Sequence, residues 1–216
     1  ITDRTRLIIV NSPSNPTGSV ATQGQMRAIA EIAEDKGIWV LSDEVYEHFI
    51  YRGTHVSPGQ FSDNVITVNA VSKTYAMTGW RLGYLVAKGG ALDQLLKIHQ
   101  YVQACACSIS QAAALEAITG PQDCVALMRD EFKARRDLLV KGFREYGVDI
   151  VEPEGAFYLF PRVGDGDQVA ARLGKAGVIA VPGSAFGPGG REHIRISYAA
   201  ARSQLEEALR RMKDIL

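Results

Sequence analysis

Short apolar runs alternate with polar punctuation along the first part of the chain. Residues 7–10, Leu7-Ile8-Ile9-Val10, are mostly β-branched and do not alternate, which reads as a short buried strand. Pro13, Asn15, Pro16 and Gly18 then force a rigid loop. Within it, Asn15–Pro16 is a candidate cis peptide. Thr22, with Gln25 three residues later, has the form of a capping box that opens a helix. Met26, Ile29, Ala30 and Ala33 supply the apolar stripe of that helix, and Gly37 is its stop. Residues 38–41 form a second apolar strand, completing a strand-helix-strand unit suited to a parallel pair with a right-handed crossover. Residues 65–71 make a third strand, partly alternating, and residues 82–87 a fourth. Too few residues separate these two for a helical crossover, so the fourth is expected to run antiparallel.

Residues 92–118 read as helical, with a break near Ser108 and a stop at Gly120-Pro121. A long amphipathic helix follows, carrying Val125, Met128, Phe132, Leu139 and Phe143 and ending at Gly147. The rhythm then changes to strands at 148–151, 157–160, 178–181 and 193–198, interleaved with helices near 167–176 and 203–215. These patterns predict an α/β chain in two domains. Residues 1–120 form a mostly parallel sheet with one antiparallel strand, and residues 121–216 form a small α+β unit.

Composition narrows the function. The 216 residues carry 24 Lys+Arg against 24 Asp+Glu, a net charge of zero, so no electrostatic pull toward nucleic acid or an anionic membrane is expected. No apolar run reaches membrane-spanning length. Three cysteines, Cys105, Cys107 and Cys124, are too few and odd in number for a disulfide framework, which favours a cytoplasmic setting. The chain starts at Ile1 and enters an apolar run almost at once, as a piece of a longer protein would.

In open α/β sheets ligands bind beyond the carboxyl ends of the strands. The three parallel strands run into Asn11-Ser12-Pro13-Ser14-Asn15-Pro16-Thr17-Gly18, into Ser42-Asp43-Glu44-Val45-Tyr46 and into Ser72-Lys73. Asn15, Asp43, Tyr46 and Lys73 are therefore expected at one crevice. The rest offers less. Cys105-Ala106-Cys107 is not a metal-binding pair, and His48, His55, His99 and His193 are scattered, so no metal site is predicted. Gly187-Pro188-Gly189-Gly190 reads as a loop, not a dinucleotide fingerprint.

Asn15-Pro16-Thr17-Gly18, Asp43-Glu44-Val45-Tyr46, Ser72-Lys73 with Met77-Thr78-Gly79-Trp80-Arg81, and Arg195-Ile196-Ser197-Tyr198 together closely resemble the class I/II aminotransferases, pyridoxal-phosphate enzymes of fold type I similar to aspartate aminotransferase. Pro153-Glu154-Gly155-Ala156-Phe157-Tyr158 and Pro182-Gly183-Ser184 look like the C-terminal domain of that family. The resemblance spans the whole chain with its motifs in family order. It implies part of the large cofactor-binding domain plus the small domain. An upstream segment carrying outer strands, a glycine-rich phosphate loop and a ring-stacking aromatic would be missing.

The resemblance implies a role for each matched residue. Lys73 would form the Schiff base with pyridoxal 5′-phosphate and then move a proton at the substrate Cα. That work needs a nucleophilic amine, which a desolvated or charge-crowded lysine supplies. Asp43 would face the ring nitrogen and keep it protonated, although a plain helix cap is the bland alternative. Tyr46 and Asn15 would contact the ring's 3′ oxygen, and Asn15 would also help hold the substrate carboxylate. Arg81 would pair with the phosphate, and Arg195 would grip the substrate α-carboxylate as a bidentate fork. Alternation within residues 193–197 places His193, Arg195 and Ser197 on one face and Ile194 and Ile196 on the other. Relatives often carry a hydroxyl three residues before the lysine. Here that position is Ala70, and Ser72, adjacent to Lys73, is the candidate substitute for it.

The expected activity is transfer of an amino group between an L-amino acid and a 2-oxo acid, in a cytoplasmic homodimer without nucleic-acid or membrane partners. Two alternatives remain at this point. One is a carbon–sulfur β-lyase on the same fold. The other is a non-enzymatic, effector-sensing domain of a transcription regulator. An isolated chain of this extent is expected to be poorly soluble or inactive.

Overall fold

The computed structural model describes residues 1–216. They divide into two compact units. One comprises Ile1–Pro13 with Val20–Ala126, and the other Ser14–Ser19 with Leu127–Leu216.

In the first unit, β1 (Leu7–Asn11) leads into α1 (Gln23–Asp35), β2 (Trp39–Asp43) and β3 (Val65–Ala70). The one-turn helix α2 (Val71–Thr74) follows, then β4 (Gly83–Ala87), α3 (Gly90–Val102) and α4 (Ser108–Thr119). The sheet order is β1-β2-β3-β4, with the first three strands parallel and β4 antiparallel to β3. The short 70s connection dictates that reversal, because only a longer crossover returns a chain in the same direction.

Thr22 starts α1 as a full capping box. Gln25 N–H donates to Thr22 Oγ1 at 3.3 Å, and Thr22 N–H donates to Gln25 Oε1 at 2.8 Å. Gly37, at φ +60°, ends it in the left-handed conformation that glycine adopts without a Cβ penalty. Met26, Ala30 and Ala33 are fully buried. Ala33 packs with Ile38, Val40 and Val65, flanked by Ile8, Val10 and Ile29.

Two details depart from the sequence reading. Residues 7–10 are a strand but not a buried one, because β1 is a sheet edge and Ile9 is 69% exposed. Alternation gives Ile8 and Val10 to the α1 side and leaves Ile9 on the other face. Val71 belongs to α2 rather than β3. The expected break near Ser108 is present, as a five-residue gap between α3 and α4.

Helix α5 (Asp123–Glu145) continues the chain into the second unit. There β5 (Tyr158–Leu159), α6 (Gly166–Lys175), β6 (Val181–Pro182), β7 (Ile194–Ser197) and α7 (Arg202–Met212) follow. The sheet order is β5-β7-β6, antiparallel throughout, so β7 is central. Its Ile194 and Ile196 are buried, as are Leu139 and Phe143 of α5, Leu173 of α6 and Leu205 and Met212 of α7. A strand was expected at 148–151. Only one bridge forms there, Asp149 to Arg162, and Val151 stands exposed. The strand predicted at 178–181 is reduced to Val181–Pro182.

Ser14–Ser19 lies with the second unit for a visible reason. Gly18 O accepts N–H bonds from Glu154 at 2.9 Å and Gly155 at 2.8 Å. At φ +70°, Gly18 is in left-handed backbone, and a Cβ there would stand 2.5 Å from Pro153 Cβ. No side chain fits that contact without displacement. Both Ser12–Pro13 and Asn15–Pro16 are cis; the sequence pointed only to the second.

Candidate active site

Parallel pairing brings two of the expected residues to one end of the first sheet. Asp43 ends β2 opposite Val68 of β3, and Lys73 lies in α2 directly beyond the end of β3. Ala70 pairs with Gly83, so Arg81, two residues before Gly83, stands at this same end. Gly83 is a close-approach glycine, since a Cβ there would meet Asn69 O at 2.9 Å.

Asp43 does not cap a helix. Val45 N–H donates to Asp43 Oδ1 at 3.3 Å, closing a turn over the next two residues. Glu47 N–H to Glu44 O and Phe49 N–H to Tyr46 O, each 2.9 Å, then carry the chain through tight turns. Tyr46 is buried in that segment. Asn11 Nδ2 donates to the backbone oxygen of Asp43 at 3.1 Å, a link between β1 and β2 that no local pattern marks. Burial raises the pKa of Asp43, Val45 N–H pulls it down, and the neighbouring Glu44 charge adds to the rise.

Lys73 and Ser72 are half-buried in α2. Arg81 is exposed in the left-handed region at φ 52°, and its Nη1 donates to Thr78 O at 2.9 Å. Ala76, at φ 54°, is a second left-handed non-glycine residue between the lysine and Arg81. Such conformations concentrate where a backbone is held for function.

A buried polar cluster lies beside Asp43 in sequence. Glu44 Oε2 accepts from His55 Nε2 at 2.7 Å, and its Oε1 accepts from Ser57 Oγ at 2.6 Å. Burial is the largest single influence and pushes Glu44 upward, but the His55 and Ser57 hydrogen bonds together hold it below the usual carboxylate range. Asn69 Nδ2 donates to Glu47 Oε1. His55 looked incidental in the sequence, because no spacing rule links it to Glu44.

The other two expected residues meet in the second unit. Arg195 Nη1 donates to Asn15 Oδ1 at 3.1 Å, although 180 positions separate them. The Arg195 guanidinium lies 4.8 Å from the Tyr158 ring centre and 5.1 Å from that of Phe186, a cation–π embrace on two sides. Its Nε is buried without a hydrogen-bond partner. The strand alternation read from sequence holds, with Ile194 and Ile196 buried and Arg195 half-buried. His193 stacks on Phe160 at 4.8 Å and 8°.

The family model described as aminotransferase class I and II matches residues 1–212. The chain belongs to this aminotransferase family. It is 47% identical to a probable aspartate aminotransferase of Methanocaldococcus jannaschii, covering all of this chain and 60% of that protein. It is 40% identical to aromatic-amino-acid aminotransferase 2 of Thermococcus litoralis, covering all of this chain and 58% of that one. Among solved structures it superposes on an aromatic aminotransferase of Pyrococcus horikoshii with a TM-score of 0.95 at 42% identity, covering 100% of this chain and 61% of the other. The aspartate aminotransferase of Thermus thermophilus with maleate gives 0.94 at 36% identity, over 100% and 58%. The chain thus spans about 60% of the length of the curated relatives it matches. The sheet topology, with its single antiparallel strand, is that of an aminotransferase α/β fold. No helix is long and apolar enough to cross a membrane.

Proposed function

We propose that the protein containing this chain transfers amino groups between L-amino acids and 2-oxo acids with pyridoxal 5′-phosphate bound at the carboxyl end of the first unit's sheet. The observation that carries this reading is Asp43. It is a half-buried carboxylate raised by desolvation, with one hydrogen bond and no cation beside it, on the strand neighbouring the one that leads to Lys73. A buried anion of that kind calls for a cationic partner, and a protonated pyridine nitrogen is one. When bound, the cofactor supplies the electron sink that stabilises negative charge at the substrate Cα.

The residues divide the remaining work. The Lys73 amine would anchor the cofactor and, when free, would take and return the proton at the substrate Cα. Tyr46 would offer its phenol to the ring oxygen, and Asp43 would hold the proton on the ring nitrogen. Arg81 offers N–H groups for the phosphate, with the Ser72 hydroxyl as a supplementary donor. In the second unit, Arg195 presents a guanidinium already fixed by Asn15 and two aromatic rings, and its buried Nε calls for an acceptor oxygen. A substrate carboxylate supplies it.

The two curated relatives described above are named for aspartate and for aromatic amino acids, which makes acidic and aromatic amino acids the substrates to try first. A cytoplasmic homodimer is the assembly we propose. The test is a spectrum and a coupled assay on the full-length protein supplied with cofactor. A band from the lysine-bound aldehyde should appear, vanish in Lys73→Ala, and accompany amino transfer that depends on a 2-oxo acid. No band, or one unchanged in Lys73→Ala, would falsify the proposal.

A further inference from the structure

Glu44 is 3% exposed, and the chemistry proposed above gives it no task. A carboxylate leaves water only where hydrogen bonds compensate it. Here both oxygens are compensated from residues 55–57, by His55 Nε2 at 2.7 Å and Ser57 Oγ at 2.6 Å. Glu44 N–H donates to Val68 O at 2.9 Å, which extends the β2–β3 ladder one step past Asp43. Successive residues of an extended chain point to opposite sides, so Asp43 and Glu44 diverge from one backbone step. Three residues on, Glu47 accepts from Asn69 Nδ2, which ties the far end of the same turn to β3. His55 Nε2 also lies 3.9 Å from Glu47 Oε2. Asp43 and Tyr46 therefore sit on a turn pinned at both ends by side chains that have no other evident role.

We propose that Glu44 and His55 are positioning residues, whose buried hydrogen bond holds the 43–46 turn so that Asp43 and Tyr46 meet the cofactor ring in register. This rests on the functional reading above. A displacement of about an ångström at a positioned group is enough to cost an order of magnitude in function. Loss of His55 leaves Glu44 buried with half of its compensation, so the turn must move to let water reach it.

The experiment uses the full-length protein, with and without pyridoxal 5′-phosphate. His55→Ala should weaken cofactor binding about tenfold, the weight of one hydrogen bond to a charged group. In the cofactor-free protein it should also speed amide exchange across residues 44–49. His55→Gln, which presents an N–H where Nε2 stood, should restore both. In an Asp43→Asn background the affinity loss from His55→Ala should shrink, because one of the groups it positions is gone. If His55→Ala does not fold, Ser57→Ala replaces it, with a smaller loss and the same dependence on Asp43. Unchanged affinity in His55→Ala, or an equal loss in both backgrounds as general loosening would give, overturns the positioning role. A wild type that takes up no cofactor overturns the functional reading beneath it, and this inference with it.

Discussion

Asp43 keeps a half-buried carboxylate on a single hydrogen bond, from Val45 N–H at 3.3 Å, and burial holds its pKa above the ordinary 3.8. A folded-state pKa above the unfolded one means that the folded state binds the proton more tightly. The protonated form is therefore the one folding favours, and stability falls as pH rises through the raised value. Asp43→Asn should raise the melting temperature of the cofactor-free protein at neutral pH. The gain should disappear as pH drops toward 4, and calorimetry across that range checks it. The same substitution should weaken cofactor retention, so stability and function move in opposite directions at this position. Lys73→Ala should cost at least about a thousandfold in turnover, the scale of a lost proton shuttle, with melting temperature little changed. Gly18 tests the loop that holds Asn15. Gly18→Ala forces a Cβ to within 2.5 Å of Pro153 Cβ at φ +70°, and should destabilise by about 2 kcal/mol or more in denaturant unfolding. Neither Asp43 nor Gly18 announces these constraints by type. Asp43 was legible as a candidate because it follows an apolar run. Its lack of a counter-charge became visible only when its neighbours in space were known.

At the scale of elements, local chemistry was readable wherever partners lie a few residues apart. The Thr22–Gln25 capping box, the Met26–Ala33 stripe and the Gly37 stop all follow from adjacent residues. Thr22→Ala should cost about 1 kcal/mol of stability by denaturant titration and leave cofactor affinity unchanged. The reversal of β4 was likewise legible, because connection length alone excludes a crossover. The weak spots were short strands of the second unit. Residues 148–151 are apolar enough to suggest a strand, yet only Asp149 finds a partner, Arg162. Strand formation depends on a neighbour in register, which no local pattern reports. His55 and Ser57 illustrate the same limit, since they reach Glu44 across a connection with no periodicity to mark it.

At the scale of the molecule, β1 and β4 are the edges of the larger sheet, and apolar side chains stand exposed along α3 and α4. Tyr101, at 93% exposure, is the extreme case. Unpaired edges and apolar faces of this kind favour association. A protein limited to these 216 residues should self-associate with rising concentration in sedimentation velocity. The full-length protein should sediment as a discrete dimer. Division into units also assigns the proposed machinery: Asp43, Tyr46, Ser72, Lys73 and Arg81 to one, Asn15 and Arg195 to the other. By itself the sequence determined the kinds of element, the parallel sheet with one reversed strand, and which residue types stand at the strand ends. Those follow from periodicity, turn chemistry and connection length, which act over a few neighbours. Tertiary structure alone decided that Asn15 and Arg195 touch, that His55 and Ser57 hydrogen-bond to the buried Glu44, and that Ile9 faces outward. Each of those depends on residues distant in the chain meeting in space, where burial and pairing set what a polar group costs.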